Sequence, residues 1–552
     1  MPSVQHSLRS IMGWAALVTV TLSLSCSQAA TPSGEPSPTG GEAQPKYGGT
    51  LIQLQGTDIK LDAHRNTSFT ALHAFNQVHQ GLLQYSPQER DKVEDAIATS
   101  WDVSPDGLTY TFNIREGLTT YKGKPFGGED VVYNIFRALN LPNKIPMPRT
   151  GCLRAIVKDA QTTAPSTVVV TLETRSAAFM ACIANPYIFM QPKYVLEQID
   201  GPGKGREMQL EDVDGVGPFK LVKHIPGSIF EFERNANFYR KGLPYVDKVQ
   251  IVELPDVASQ IAAFRTETAH ITTTFGTPSH KETESLKAAL GDKVHFIEAV
   301  PPGWRGFQVN WTRSPFSDKR LREAVHLALN RQTINELLME NEGTLSGPYN
   351  CKKWPWIFTC EELAQWPGYR ADKTQDLARA KQLVRDAGYG PEKALTVDAS
   401  CGTAGADECE IIREDLKGIG IEVRLIREDN ASRQARALKG DWDLYPDSKG
   451  IAVDDPEAYN DDYYLPTAGL NFAKWENAEW LKLYEQERRE LDQAKRGELL
   501  RQMGKIWFED YVFLHVQRIG THPGYWSFVK GYVPPPDLVH VNYSFERVWL
   551  DK

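Results

Sequence analysis

The chain has 552 residues, more than one compact core accommodates, so two or more folded bodies are expected. Hydrophobic residues make up 41% and charged residues 24%, an ordinary balance for a globular protein. The net charge of −9 comes without a basic run that could track phosphates, which argues against nucleic acid as a partner.

The chain begins with the plan of an export signal. Arg9 precedes an apolar run at 11–24 (IMGWAALVTVTLSL), shorter than the roughly 20 residues a spanning helix needs. Ser23-Leu24-Ser25-Cys26 follows. It resembles a bacterial lipoprotein signal, which implies cleavage after residue 25 and a lipid on Cys26, although Ser23 stands where such signals usually have Leu. The alternative is an ordinary signal cut nearby. Residues 26–46 are rich in Ser, Pro, Gly and Ala, too polar to bury a core, and read as a disordered tether. Six cysteines remain. Proximity pairs Cys351 with Cys360 and Cys401 with Cys409, and elimination pairs Cys152 with Cys182. A zinc cluster is the weaker alternative, because there is no C-x-x-C pair and no histidine near Cys401 or Cys409.

The densest local signal lies at 95–137. Trp101 and Val103, then Leu108, Tyr110, Phe112 and Ile114, alternate with polar residues around the turn Ser104-Pro105-Asp106-Gly107. Glu129 and Asp130 then open a helix through Phe136, acidic at its N-terminal end. Strands at 157–160 and 167–173 complete a small sheet. Strands at 219–221 and 229–232 pair around Pro226-Gly227, 249–252 is a third, and Val257–Arg265 is a helix with Ile261, Ala262 and Phe264 inward. Ser317 is expected to cap a helix carrying Leu321, Ala324, Val325, Ala328 and Leu329. A helix at 375–389 ends at Gly388. The alternation of strand 395–397, helix 408–418 and strand 421–425 predicts a largely parallel α/β body. A strand at 442–445, a loop at 446–459, one helix at 478–502 and a strand at 512–517 follow.

Two strings together carry a family resemblance. One is SWDVSPDGLTYTFNIREG with Gly123-Lys124-Pro125-Phe126 and EDVVYN; the other is GVGPFKLVKHIPGSIFEFERNANFYRKGLPYVDKV at 215–249. They resemble the family 5 extracytoplasmic solute-binding proteins, the peptide-, nickel- and opine-type receptors of ABC importers, over about 47–545. The resemblance implies an α/β, two-lobed periplasmic-binding-protein-like fold (type II, large cluster with an extra subdomain) and a two-strand hinge. It implies lobe I at 47–74, 212–304 and 515–552, an inserted subdomain at 75–211 and lobe II at 305–514. It further implies capture of an oligopeptide or peptide-like solute in the interlobe cleft and delivery to a membrane permease with its ATPase. The receptor is expected to be an extracytoplasmic monomer without cofactor or metal.

Peptide-binding members of the family place an Asp four residues before a Pro, to pair the peptide ammonium; here Ala452 stands before Pro456, and Lys449 replaces a usual Trp. An unpaired buried ammonium is costly. Either Asp447, Asp454 or Asp455 substitutes, or the ligand lacks a free N-terminus and Lys449, beside Ser448, suits an anionic group. Trp304, Arg305 and Trp311 flank the first hinge crossing, where aromatics could stack and Arg305 could pair a carboxylate; packing at the hinge is the alternative for each. Runner-up solutes are anionic, opine, glycoside or siderophore-like, and a sensor or scaffold lipoprotein of the same fold is the alternative role. No G-x-S-x-G, H-E-x-x-H or P-loop points to an enzyme. His73 and His79 do not share a helix face, and Asp461-Asp462 lacks the calcium-loop pattern, so no metal site is expected.

Overall fold

A computed structural model describes residues 44–552 apart from 57–58, 67–68, 87–91, 141–146, 148, 202–204, 274–277, 300–302, 403–405, 429, 451–452, 454, 469, 519 and 535–542, with the backbone alone at Trp304, Asn430, Ala431, Gln434, Ser448, Lys449, Asp462, Gln517 and Arg518. The expected signal, Cys26 and nearly all of the tether lie outside the described residues.

Strand β1 (Thr50–Gln55) leads to helix α1 (Ala71–Val78). An antiparallel sheet follows, built from β2 (Ala98–Val103), β3 (Thr109–Ile114), β4 (Val157–Ala164) and β5 (Thr167–Leu172) in the order β2-β3-β5-β4. The predicted alternation holds on β3, where Tyr110, Phe112 and Ile114 are buried, but not on β2, an edge strand with a register shift between Ala98 and Ser100, where Trp101 is half-buried and Val103 exposed. Gly107 takes a φ of 70° in the turn between them. Helix α2 (Gly128–Ala138) packs on this sheet. Asp130 accepts from Gly127 N at 2.8 Å and from Lys193 N at 2.8 Å, so this motif acid fastens the helix start.

Strands β6 (Phe219–Ile225), β7 (Ile229–Arg234) and β8 (Lys248–Glu253) return to β1 in the order β1-β8-β7-β6, with β1 and β8 parallel. Gly217 lets this chain touch the end of α1: a β-carbon there would lie 2.5 Å from the Val78 carbonyl carbon. Helix α3 (Val257–Arg265) has its expected bounds, but it buries Gln260 and Phe264 and leaves Ala262 exposed, because residues four apart share one face. Helix α4 (His280–Leu290) and strand β9 (Val294–Phe296) complete this half.

The second half opens with β10 (Gly303–Val309) and helices α5 (Lys319–Ala328) and α6 (Arg331–Leu338). Asp318, not Ser317, caps α5, accepting from Arg320 N at 2.9 Å. Strand β11 (Thr344–Leu345), helix α7 (Thr374–Asp386), strand β12 (Leu395–Cys401), helix α8 (Ala406–Lys417), and strands β13 (Ile421–Arg427) and β14 (Leu444–Gly450) follow. The single helix expected at 478–502 is two, α9 (Ala478–Glu487) and α10 (Gln493–Asp510), because Asp492 turns its carboxylate to Lys495 N and starts a new helix. Strands β15 (Phe513–Arg518) and β16 (Gly524–Trp526) end the framework. The six-stranded sheet runs β11-β15-β10-β14-β12-β13. Only β14, β12 and β13 are parallel; the rest pair antiparallel, which corrects the largely parallel expectation. The reason lies in the connectivity: β10 and β15 are the two passes between the halves and run in opposite directions.

Those two passes form one ribbon. Phe296 pairs with Gly524, Ala299 with Thr521, and Gln308 with Phe513. The ribbon joins the six-stranded sheet to β1 through Ile271, which bridges both Gln53 and Tyr525. One core holds Leu51, Phe230, Ile251, Phe264 and Trp526; another holds Phe307, Val325, Leu383, Ile412 and Leu514. A third, aromatic core crosses between halves, from Phe112 and Ile135 to Trp354, Tyr464, Trp480 and Trp507. The inserted sheet therefore packs against 349–513 rather than standing apart, and Ala177 N donates to Arg488 O at 3.0 Å across that contact.

Candidate functional site: the strands beside the crossing ribbon

The stretch expected to be a loop after Tyr445 is the strand β14 as far as Gly450. Pro446, Asp447 and Gly450 read as turn formers, but antiparallel pairing with β10 overrides that local preference. The register sets Trp304 opposite Lys449, Arg305 opposite Ser448 and Gly306 opposite Asp447. Five of the sequence-derived candidates thus occupy three successive rungs beside the ribbon.

Arg305 is one-third exposed and ion-paired with Glu408, near the start of α8 and almost wholly buried. Glu408 adjoins Cys409, whose Cα lies 6.4 Å from that of Cys401 at the end of β12. The other expected pairs also meet, Cys152 and Cys182 with Cα atoms 6.0 Å apart and Cys351 and Cys360 at 5.1 Å. Asp447 accepts a hydrogen bond from Gln308 Nε2 at 2.6 Å. Gln308 is fully buried and also accepts from Ala473 N at 3.2 Å, tying the rung to the 470s segment. The Arg433 guanidinium lies 4.0 Å over the Tyr445 ring, and burial pushes the Tyr445 hydroxyl upward in pKa. Sequence reasoning missed Gln308, Glu408 and Arg433 because each acts through a partner distant in the chain; only the position of Glu408 beside Cys409 offered a hint.

Trp311 stands two residues beyond β10, half-buried, with the Arg322 guanidinium 5.8 Å from its ring centroid. It packs at the base of the ribbon and not on the three rungs. Asp455 is placed elsewhere. It caps the Pro456 turn, accepting from Glu457 N at 2.8 Å, and is ion-paired with Arg496 on α10. Arg496 also donates to Glu487 at 2.7 Å. Burial, and then Asp461 and Glu487, pushes Glu457 well above the usual carboxylate range; burial carries Glu487 to about 7 against the pull of Arg496. Asp455 is therefore committed to a buried acid–arginine network. Ala452 and Asp454 lie outside the described residues, as do the side chains of Trp304, Ser448 and Lys449. Trp354 is buried in the aromatic core.

Comparison with known proteins agrees with this architecture. The family described as bacterial extracellular solute-binding proteins, family 5 Middle, matches residues 92–471. Di/tripeptide-binding protein 2 of Pseudomonas aeruginosa is 24% identical over 534 residues, covering 92% of this chain and 96% of that one. The ABC transporter-associated periplasmic binding protein DppA from Helicobacter pylori, solved with the peptide STSA, aligns with a TM-score of 0.77 at 21% identity, covering 92% and 99% of the two chains. The binding protein AgaA of A. tumefaciens R10, solved with agropinic acid, aligns at 0.75 and 22% identity, covering 91% and 99%. With two halves joined by a two-strand ribbon and more than half its length matched, the chain belongs to family 5 of the bacterial extracellular solute-binding proteins.

Proposed function

We propose that this chain is the surface receptor of an ABC importer, which closes its two halves on one small solute and passes it unchanged to a membrane permease with its ATPase. The observation that carries the reading is the crossing ribbon with Trp304, Arg305, Asp447, Ser448 and Lys449 on adjoining rungs at its flank. A two-strand connection permits hinge closure around a ligand. An oligopeptide or peptide-like compound is the leading cargo, in keeping with relatives named for di/tripeptides and a relative solved with a peptide. Lobe I is assigned to 47–74, 212–304 and 515–552, the subdomain to 75–211 and lobe II to 305–514.

A second reading is favoured by one observation. The position four before Pro456 is Ala452, and Asp455 is already neutralised by Arg496, so the usual acid for an ammonium is missing from both places. Arg305 and Lys449 then suit an anionic solute, and a relative solved with agropinic acid is consistent with that chemistry. A sensor or scaffold lipoprotein of the same fold is the remaining alternative. Anchoring is assigned to a lipid on Cys26, and the three cysteine pairs to disulfides of an exported protein. No helix among the described residues is long and apolar enough to cross a membrane. A thermal-shift panel of peptides, opines, sugars and metal chelates tests the reading. Peptides with free amines as the sole stabilisers would remove the anionic variant, with Lys449→Ala then leaving affinity untouched.

A further inference from the structure

His280, Glu342 and His522 meet from three distant parts of the sequence. His280 is the first residue of α4, Glu342 lies in the turn between α6 and β11, and His522 lies on the second crossing between β15 and β16. One ligating atom from each lies within 4.8 Å of the other two. His280 Nδ1 is 3.4 Å from Glu342 Oε1, and His522 Nε2 is 3.7 Å from Glu342 Oε2. Zinc bound tetrahedrally at about 2.0–2.1 Å sets its donors roughly 3.3 Å apart, so small side-chain rotations close the set. Two imidazoles and one carboxylate suit zinc or a similar borderline cation, whereas calcium and magnesium call for an all-oxygen shell.

The surroundings fit a cation. Lys287 is matched by Glu284 at 2.8 Å, and Lys352 by Glu298 at 3.4 Å, so neither ammonium opposes a positive ion unscreened. The His522 side chain is 10% exposed and that of His280 is 40% exposed, which leaves an entry path and room for solvent as the fourth ligand. We propose that His280, Glu342 and His522 form a zinc-binding clasp. An ion held there ties α4 of the first half, through the second crossing, to the turn ahead of β11 in the six-stranded sheet. The clasp does not depend on the nature of the transported solute.

The test uses the full chain stripped with EDTA and titrated calorimetrically with Zn²⁺ alone and, in parallel, Ca²⁺ alone. The expected result is one Zn²⁺ per chain, bound at least tenfold more tightly than Ca²⁺. His280→Gln, His522→Gln and Glu342→Gln should each weaken Zn²⁺ by tenfold or more, and Co²⁺ should give a tetrahedral visible spectrum that the His522→Gln chain lacks. His280 is half-exposed at a helix start, so its variant should melt like the wild type in EDTA and serves as the folded control. Absence of Zn²⁺ uptake, or uptake undiminished when His280 and His522 are both replaced, would overturn the proposal.

Discussion

Ala299 and Thr521 exchange reciprocal backbone hydrogen bonds of 2.8 and 2.7 Å, which zips the two chain passes together midway between the sheets. The same ribbon narrows further at Gly306, where a β-carbon would lie 2.1 Å from the Leu514 carbonyl oxygen. Gly306→Ala must therefore part β10 from β15. Overpacking of this kind costs about 1–3 kcal/mol. The variant is expected to lose that much in urea unfolding and to bind solute more weakly. An unchanged unfolding midpoint would show that the close approach is not maintained in solution.

Arg137, on the motif helix α2, donates to Asp62 at 2.9 and 2.6 Å and to Asp200 at 2.6 and 2.9 Å, with all three side chains buried. Arg137→Met removes the cation that both buried carboxylates share and should cost about 3–5 kcal/mol. Lysine at this position should recover only part, since it lacks the planar fork that serves both acids. Burial pushes Asp62 up, but Arg137 outweighs it and holds the carboxyl at about 2, against 3.8 unperturbed. The folded-state value is depressed, so this stability is fully present above pH 3.8 and is lost as pH falls toward 2. Acid unfolding monitored by circular dichroism should show that loss in the wild type and not in Arg137→Met.

Several buried histidines act in the same direction at higher pH. Burial depresses His64 to about 4 and His73, His79 and His515 to about 3, from 6.5 unperturbed. Each contributes stability that is complete above pH 6.5 and disappears as pH falls through these values. The melting temperature should thus decline steadily from pH 7 to pH 4. His79 has no hydrogen-bond partner for either ring nitrogen among the described residues. His79→Leu should be neutral or stabilising by about 1 kcal/mol and should flatten the pH dependence. A melting temperature independent of pH over this range would refute the burial of these rings.

The three cysteine pairs span 30, 9 and 8 residues. As disulfides each should contribute about 2–4 kcal/mol, the longest loop contributing most. The joint replacement Cys152→Ala with Cys182→Ala should lower the urea midpoint more than either local pair. Free thiols at these six positions in the exported, non-reduced chain would contradict the pairing.

Much of the framework could be read from the residues because it is local. The alternation of Tyr110, Phe112 and Ile114 around a Pro-Asp-Gly turn and the bounds of Val257–Arg265 depend on near neighbours. The failures share a different cause. Residues 446–450 carry turn chemistry and become a strand only when β10, over a hundred positions away, pairs with them. Asp455 looked available because Arg496, the charge that neutralises it, is 41 positions distant. Gln308 and the trio His280, Glu342 and His522 carry no spacing signal at all, and Glu408 only its place beside Cys409; folding alone assembles them. Arg305 and Asp447 come onto adjoining rungs only through the pairing of two strands far apart in the chain, which no local pattern specifies.

Capture without chemical change is tested most directly by following a stabilising solute through one cycle. The purified chain is screened by thermal shift, saturated with the best stabiliser, stripped of free solute, denatured, and its released contents are weighed by mass spectrometry. Ligand binding to the folded state alone must raise the melting temperature by mass action. One solute class, peptide-like or anionic, should be recovered intact at one molecule per chain, with the shift reduced in Arg305→Ala. Recovery of a cleaved or altered product, or a panel in which no class moves the melting temperature, would contradict it.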